Sequence, residues 1–306
     1  MSEFKHIPIM LNEVIEGLDI KPNGVYADLT LGGAGHSIEI LKRLTSGHLF
    51  GVDKDSDALM AAKKRLQEFE NCTFIHADFK DAVKELPELD GILMDLGVSS
   101  YQLDTAERGF SYRFDAELDM RMSRDDSLTA KTIVNTYSEQ ELTKIFFEYG
   151  EEKFSKQIAR AIVERRKTKE IKTTKELTEI IWNAIPPKAR YSGSNPYMRC
   201  FQALRICVNG ELTGLGECVK EAVGKLKKGG RICVITFHSL EDRIVKQEMK
   251  YLELDCVCPP KMPICTCGKK KEIKILTKKP ITASKEEIEM NSRSECAKLR
   301  IAEKII

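Results

Sequence analysis

Apolar and polar positions alternate along the chain in three regimes. Near the N-terminus, Val25–Leu31, Leu49–Asp53, Cys72–Ala77 and Gly91–Asp95 are short, largely apolar runs of strand length. Between them apolar residues recur at helical spacing, as Ile38, Ile40, Leu41 and Leu44 do within Ser37–Leu44. Leu59, Ala62, Leu66 and Phe69 repeat the pattern within Asp55–Phe69. A short helix at Leu11–Leu18 precedes the first strand, and Asp81–Leu86 has room for one or two helical turns. Strands alternating with helices predict a parallel α/β sheet.

The pattern breaks after Asp95. Leu96–Asp104 reads as a loop, and Glu107–Asp119 has no period. From Ala130 to Ala184 only helices are predicted: Glu139–Tyr149, Phe154–Arg166 and Thr174–Ala184, the last capped by Thr173 or Thr174. Pro186-Pro187 ends that run, and Tyr197–Val208 is a further helix. The sheet pattern then resumes. A helix at Leu215–Leu226 is stopped by Lys228-Gly229-Gly230, a fifth strand covers Arg231–Phe237, and a helix covers Ser239–Tyr251. Glu272–Thr277 and Leu299–Ile306 are two last strands, too close for another βαβ unit, and are expected to pair antiparallel at a sheet edge. The predicted organisation is an α/β core built from residues 1–106 and 196–306, interrupted by an all-helical insertion at 107–195.

Ligands of such sheets bind at the carboxyl ends of the strands. Four features fall there. The first strand runs into Gly32-Gly33-Ala34-Gly35-His36, a turn whose missing side chains let a ligand approach the backbone. Glycine turns also serve purely structural ends. Asp53 ends the second strand about twenty residues on, the spacing at which an acid meets a ribose diol in nucleoside-binding folds. Asp53 is equally placed to cap the next helix, although Asp55 and Ser56 can do that. Asp78-Phe79 follows the third strand. Asp95 ends the fourth and leads into Leu96-Gly97-Val98-Ser99-Ser100, a loop placed either to hold a substrate or simply to turn with serine caps. After the fifth strand, Ser239 and Asp242 have the spacing of a helix-capping pair, which leaves His238 as a proton acceptor, a substrate contact or the partner of a backbone group. Arg243 is placed to meet a phosphate or a local acid.

Composition narrows the class. The chain has 306 residues, 42% hydrophobic and 31% charged, with a net charge of +2, which is ordinary for a soluble protein. The N-terminal residues lack an apolar signal core, the apolar runs are strand-length, and many of the ten cysteines fall inside predicted elements, as Cys72, Cys207 and Cys233 do. The reading is cytoplasmic, with no membrane. Positive charge gathers in the insertion, at Lys153, Lys156, Arg160, Arg165, Arg166, Lys167, Lys169, Lys172 and Lys175, and again at Lys269-Lys270-Lys271, Lys274, Lys278 and Lys279. Phosphate backbones favour such runs, though each alone also suits a solvated helix face. Cys256-x-Cys258 and Cys265-x-Cys267 frame Pro259–Pro263 and make either a structural zinc site or a loop with free thiols.

The glycine turn ending in His36, the Asp95–Ser100 loop, Glu107-Arg108-Gly109-Phe110-Ser111, Leu118-Asp119-Met120-Arg121-Met122, Tyr149-Gly150-Glu151-Glu152, Phe201-Gln202-Ala203-Leu204-Arg205-Ile206 and Phe237–Arg243 together resemble the bacterial ribosomal RNA small-subunit methyltransferase H (MraW) family. The resemblance runs from His6 to Glu303. It implies a class I S-adenosylmethionine-dependent methyltransferase, with a Rossmann-like core and an inserted helical domain that helps hold RNA. The implied substrate is the N4 amine of a P-site cytidine in 16S rRNA (position 1402 in conventional rRNA numbering), within the small ribosomal subunit. It further implies that Gly33, Ala34, Gly35 and His36 meet the methionine part of S-adenosylmethionine, Asp53 the ribose and Phe79 the adenine. Asp95 and Gln102 would complete that pocket. Asp95, then His238, are the candidate proton acceptors, and Ser99, Ser100, Arg108 and Arg243 the candidates for substrate contact. The four cysteines lie outside what the resemblance carries. A methyltransferase acting on another nucleic acid or a protein amine, and a non-catalytic RNA-binding assembly factor, are the competing readings. A nicotinamide dehydrogenase is disfavoured because the turn is not G-x-G-x-x-G. The chain is expected to act as a monomer or a homodimer.

Overall fold

A computed structural model describes residues 8–190, 195–259 and 264–306. His6, Ile7 and the Pro260–Pro263 part of the cysteine-framed segment lie outside the described residues. The chain divides into two compact units, one containing the described residues up to Gly97 together with Gly214–Ile306, the other Val98–Thr213.

The first unit opens with α1 (Leu11–Leu18), β1 (Val25–Asp28), α2 (Gly35–Leu41), β2 (His48–Asp53), α3 (Ser56–Arg65), β3 (Cys72–His76), α4 (Phe79–Glu85) and β4 (Leu89–Asp95). The second holds α5 (Ser100–Asp104), α6 (Ala130–Thr136), α7 (Glu139–Glu148), α8 (Ser155–Arg166), α9 (Thr174–Ala184) and α10 (Pro196–Asn209). The first resumes with α11 (Leu215–Lys225), β5 (Leu226–Thr236), α12 (Ser239–Glu253), β6 (Ile273–Ile275), β7 (Ile281–Thr282), α13 (Lys285–Met290) and β8 (Lys298–Lys304).

The sheet order is β3-β2-β1-β4-β5-β8-β6, with β7 also paired to β8. β1 to β5 are mutually parallel, and β8 runs antiparallel to β5, β6 and β7. This is the α/β, Rossmann-like class expected, with chain order reversing direction at β1 between β2 and β4, where such sheets take their ligands. Central strands covered on both faces must be apolar almost throughout. Accordingly Ile232 and Val234 of β5 pack with α4, α11 and α12 on one face. Cys233 and Ile235 pack on the other with Val14 and Leu18 of α1, Ile40 of α2 and Leu59 of α3.

The last two strands pair antiparallel at one edge of the sheet, as expected, with β6 outermost and β8 between it and β5. Leu299 and Ala302 of β8 are completely buried. Two expectations change. The glycines at 229–230 do not stop the helix. α11 ends at Lys225, and Gly229, at φ +81°, lies within a bulge of β5, where one residue of β4 between Leu89 and Gly91 faces four of β5 between Leu226 and Arg231. Leu96–Asp104 is not all loop, because Ser99 caps α5.

The second unit is helical with its own core, in which Phe146, Ile158, Leu177 and Leu204 are fully buried. It is wider than the expected 107–195. Phe201, Ala203, Leu204 and Val208 of α10 belong to this core, and Asn209 accepts the Met122 N–H at 2.7 Å and donates to the Met120 carbonyl at 2.8 Å. Gly109 at φ +68° closes the irregular Glu107–Asp119 segment; a Cβ there would stand 2.2 Å from the Glu117 carbonyl oxygen.

Candidate active site

The carboxyl ends of β1, β2 and β4 carry Asp28, Asp53 and Asp95. Each organises the turn beside it. Asp28 accepts from Ser37 Oγ at 2.7 Å and from the Thr30 N–H at 3.1 Å. Asp53 accepts the Gly32 N–H at 2.7 Å and the Asp55 N–H at 2.8 Å, one on each oxygen. The Asp95 N–H donates to Thr30 Oγ1 at 2.6 Å, which ties the end of β4 to the β1 turn. The turn itself is strained open, with Gly32 at φ +49° and Ala34 at φ +59°. A Cβ on Gly33 would meet nothing within 4 Å, whereas one on Gly35 would stand 2.5 Å from Pro8 Cγ. Gly33 is thus the open position of the turn and Gly35 the packed one.

The three acids repel one another in a dry place. Burial pushes the Asp28 carboxyl up to about 6 despite its hydrogen bonds, and raises Asp53 as well. Burial, then the charges of Asp28 and Glu241, push Asp95 up to about 8. The Asp95 side chain keeps 27% exposure, but its Oδ1 is buried with no hydrogen-bond partner. The His36 ring is buried, its Nε2 donates to the Ile9 carbonyl at 2.9 Å, and its Nδ1 lies 3.7 Å from Asp95 Oδ2, beyond hydrogen-bonding reach. A rim of raised carboxyls with one orphaned oxygen is a site prepared for a cation and a hydrogen-bond donor. Phe79 opens α4, half-buried against the core, with Lys80 Nζ 5.6 Å from its ring centroid.

Two other expectations are corrected. The cap of α12 is His238 and not Ser239: its Nδ1 accepts the Glu241 N–H at 3.4 Å, while Glu241 Oε2 accepts the Phe237 N–H at 2.9 Å and the His238 N–H at 3.4 Å. The capping pair is one residue earlier than its sequence spacing suggested, because Asp242 is buried against Arg300, whose Nε donates at 2.7 Å and Nη2 at 3.2 Å. With Nδ1 accepting, the proton of neutral His238 sits on Nε2, 3.2 Å from Glu241 Oε1. The ring therefore presents a donor. Arg108 is the second correction. It is buried in the second unit, and its Nη2 donates to the Arg121 and Met122 carbonyls at 3.0 and 2.7 Å, so it holds protein backbone and not a surface phosphate.

Ser99 and Gln102 form a reciprocal cap in the second unit: Ser99 Oγ accepts the Gln102 N–H at 3.2 Å, and Gln102 Oε1 accepts the Ser99 N–H at 3.1 Å. Ser100 is half-buried in the first turn of α5, and Arg243 is exposed on α12. Lys156 and Arg160, four apart, stand exposed along α8, and Lys153 is exposed two residues before it. The four sulfurs of Cys256, Cys258, Cys265 and Cys267 come together in the first unit. Sequence reasoning missed Asp28 and Glu241. Asp28 carries the same signal as Asp53 and Asp95, an acid at the end of a strand, but sits where the first strand was expected to continue.

A family model described as the MraW methylase family matches residues 3–305. A protein of Clostridium botulinum (strain Kyoto / Type A2) named Ribosomal RNA small subunit methyltransferase H is 57% identical over 309 residues, covering 99% of this chain and 100% of that one. One of the same name from Clostridioides difficile (strain 630) is 54% identical over 310 residues, again covering 99% and 100%. Among solved structures, an rRNA methylase from Streptococcus thermophilus aligns with 97% of this chain and 94% of its own, at 10% identity and a TM-score of 0.41.

Proposed function

Since the chain belongs to the MraW methylase family, we propose that it transfers the methyl group of S-adenosylmethionine to the N4 amine of a P-site cytidine in 16S rRNA (position 1402 in conventional rRNA numbering). The family makes the chain a methyltransferase that uses S-adenosylmethionine. The 54–57% identity to small-subunit rRNA methyltransferases supports ribosomal RNA as the substrate.

S-adenosylmethionine supplies an electrophilic methyl on a cationic sulfonium when bound. The residues present fit that group, through the open Gly33 position, the raised carboxyls and the orphaned Asp95 oxygen. Gly33, Ala34, Gly35 and His36 would hold the methionine part. Asp53 would take the ribose hydroxyls, since each of its oxygens accepts one N–H and keeps a second lone pair. Phe79 would stack on the adenine.

Asp95 carries the proposal. Its partly exposed carboxylate accepts an N–H of the cytidine amine and turns the nitrogen toward the methyl group. The N4 lone pair is delocalised into the ring, so orientation matters more than base strength. The N4 proton released on transfer passes to the Asp95 carboxylate. His238 presents a donor, which leaves Asp95 as the acceptor. Ser99, Ser100 and Arg243 remain the substrate contacts, without Arg108. Lys153, Lys156 and Arg160 make the second unit the RNA-holding domain, through phosphates. A cytidine in folded RNA would be splayed out of its stack to reach the site.

The test is transfer of labelled methyl to unmethylated small subunits and to naked 16S rRNA, followed by nucleoside analysis. Wild type should label one cytidine at N4, and Asp95→Ala should lose roughly a hundred-fold or more of that rate. Label on another nucleoside, or only on a ribosomal protein, would replace the substrate assignment. No transfer to any of these would favour a non-catalytic assembly role.

A further inference from the structure

We propose that Cys256, Cys258, Cys265 and Cys267 form a structural zinc site that staples the segment between α12 and β6. The inference is independent of the methyl-transfer site.

The four sulfurs lie within 4.8 Å of one another. Cys256 and Cys265 are 3.5 Å apart, Cys265 and Cys267 3.5 Å, Cys258 and Cys265 3.8 Å, and Cys256 and Cys267 3.9 Å. A zinc ion bound by four thiolates at about 2.3 Å in a tetrahedron sets its sulfurs about 3.8 Å apart. The spacing is therefore that of one ion's coordination shell. None of the four is in a disulfide. A multi-iron cluster interposes iron and sulfide between its cysteines and needs them farther apart than contact.

The backbone around the sulfurs is built as a second layer. The Val257 N–H donates to Cys267 Sγ at 3.4 Å and the Cys258 N–H to Cys256 Sγ at 3.3 Å. Cys258 also receives backbone hydrogen bonds from Thr266 and Cys267, and Cys267 receives one from Lys269. Gly268, at φ +63°, turns the chain so that Lys269 points back at Cys267. Such N–H···S bonds stabilise thiolates, which neutral thiols do not require.

Apart from ion pairs of Lys269 with Glu272 and Lys271 with Glu253, the described residues of the segment have little to hold them. None of the described residues from 254 to 271 is buried. Yet its two ends are pinned together, with the Glu272 N–H donating to the Leu252 carbonyl at 2.9 Å and the Ile275 N–H to Glu253 Oε1 at 2.9 Å. A short excursion without apolar burial gains its order from a metal. Each thiol enters as thiolate, its proton passing to solvent. A four-thiolate zinc centre carries two net negative charges, and Lys269, Lys270 and Lys271 follow it in the chain.

The test uses the full chain without a histidine tag, purified with a thiol reductant. Elemental analysis should find about one zinc per chain after gel filtration in chelator. The double variant Cys265→Ser/Cys267→Ser, at two exposed positions, should retain less than about a tenth of that. Cobalt replacement should give the sulfur-to-cobalt charge-transfer and intense visible bands of a tetrahedral thiolate site. Hydrogen exchange over 254–271 should rise in the variant while β1 and β4 stay protected, which separates loss of the staple from loss of the fold. Metal-free wild type with Cys265 and Cys267 freely reactive would overturn the site, as would zinc undiminished in the double variant. Stoichiometric iron in place of zinc would overturn the choice of metal.

Discussion

If the raised Asp95 carboxyl is prepared for a cation, binding of S-adenosylmethionine must depend on pH through that residue. With its pKa pushed up to about 8, Asp95 is about one tenth ionised at pH 7 and about nine tenths at pH 9. If the carboxylate is the form that binds the sulfonium, apparent affinity scales with that fraction, so it strengthens about nine-fold from pH 7 to pH 9, about 1.3 kcal/mol. Binding at pH 7 should also release close to one proton. Both are measurable by titration calorimetry in two buffers of different ionisation enthalpy. The ligand's own amine titrates in this range, so the deciding quantity is the difference between wild type and Asp95→Asn. The variant should lose the nine-fold rise and the extra proton. Stability has the opposite sign. A carboxyl raised in the folded state binds protons more tightly than the unfolded chain does, so the ligand-free protein loses stability as pH rises from about 4 to about 8. Asp95→Asn should leave the melting temperature unchanged at pH 4 and raise it at pH 9. Parallel binding profiles for the two proteins, with equal proton release, would refute the reasoning.

Other expectations follow from the same geometry. His238→Asn should keep both the α12 cap and methyl transfer, whereas His238→Ala should cost about 0.5–2 kcal/mol in denaturant unfolding with turnover within a few-fold of wild type; a lost acidic limb in the pH–rate profile would show that His238 takes the proton. Lys153→Ala/Lys156→Ala/Arg160→Ala should weaken RNA binding and reduce the slope of log affinity against log salt by roughly two to three, seen by filter binding over a salt series, and an unchanged slope would remove α8 from the RNA contact. Arg300→Met leaves Asp242 buried without its bidentate partner and should cost on the order of 3–5 kcal/mol, largely recovered when Asp242 is also made Asn. Gly109→Ala forces a Cβ against the Glu117 carbonyl at φ +68°, and its unfolding free energy should fall by at least about 1–3 kcal/mol.

Much of this protein follows from residue order alone. Strand and helix periods are local, so the parallel core, the helical interruption and the acids at strand ends could be placed before any contact was known. The Gly32–His36 turn and Asp53 are legible for the same reason, since their spacing reports one βαβ step. Family motifs extended that to cofactor and substrate class. Other properties depend on which groups share a desolvated space. Ser239/Asp242 and His238/Glu241 have the same spacing, and only the buried Arg300 decides that Asp242 is taken and His238 caps the helix. Arg108 is a candidate substrate contact in sequence, and only the fold shows it buried against the Arg121 and Met122 carbonyls. The insertion of β8 between β5 and β6 is a non-local pairing that no local period encodes. Four cysteines in two C-x-C pairs leave metal and free thiol open in sequence, and only the fold brings their sulfurs to 3.5–3.9 Å of one another. The charge state of Asp95 belongs to the same class, because it is set by burial and by Asp28 and Glu241, which are distant in sequence and close only in the folded chain.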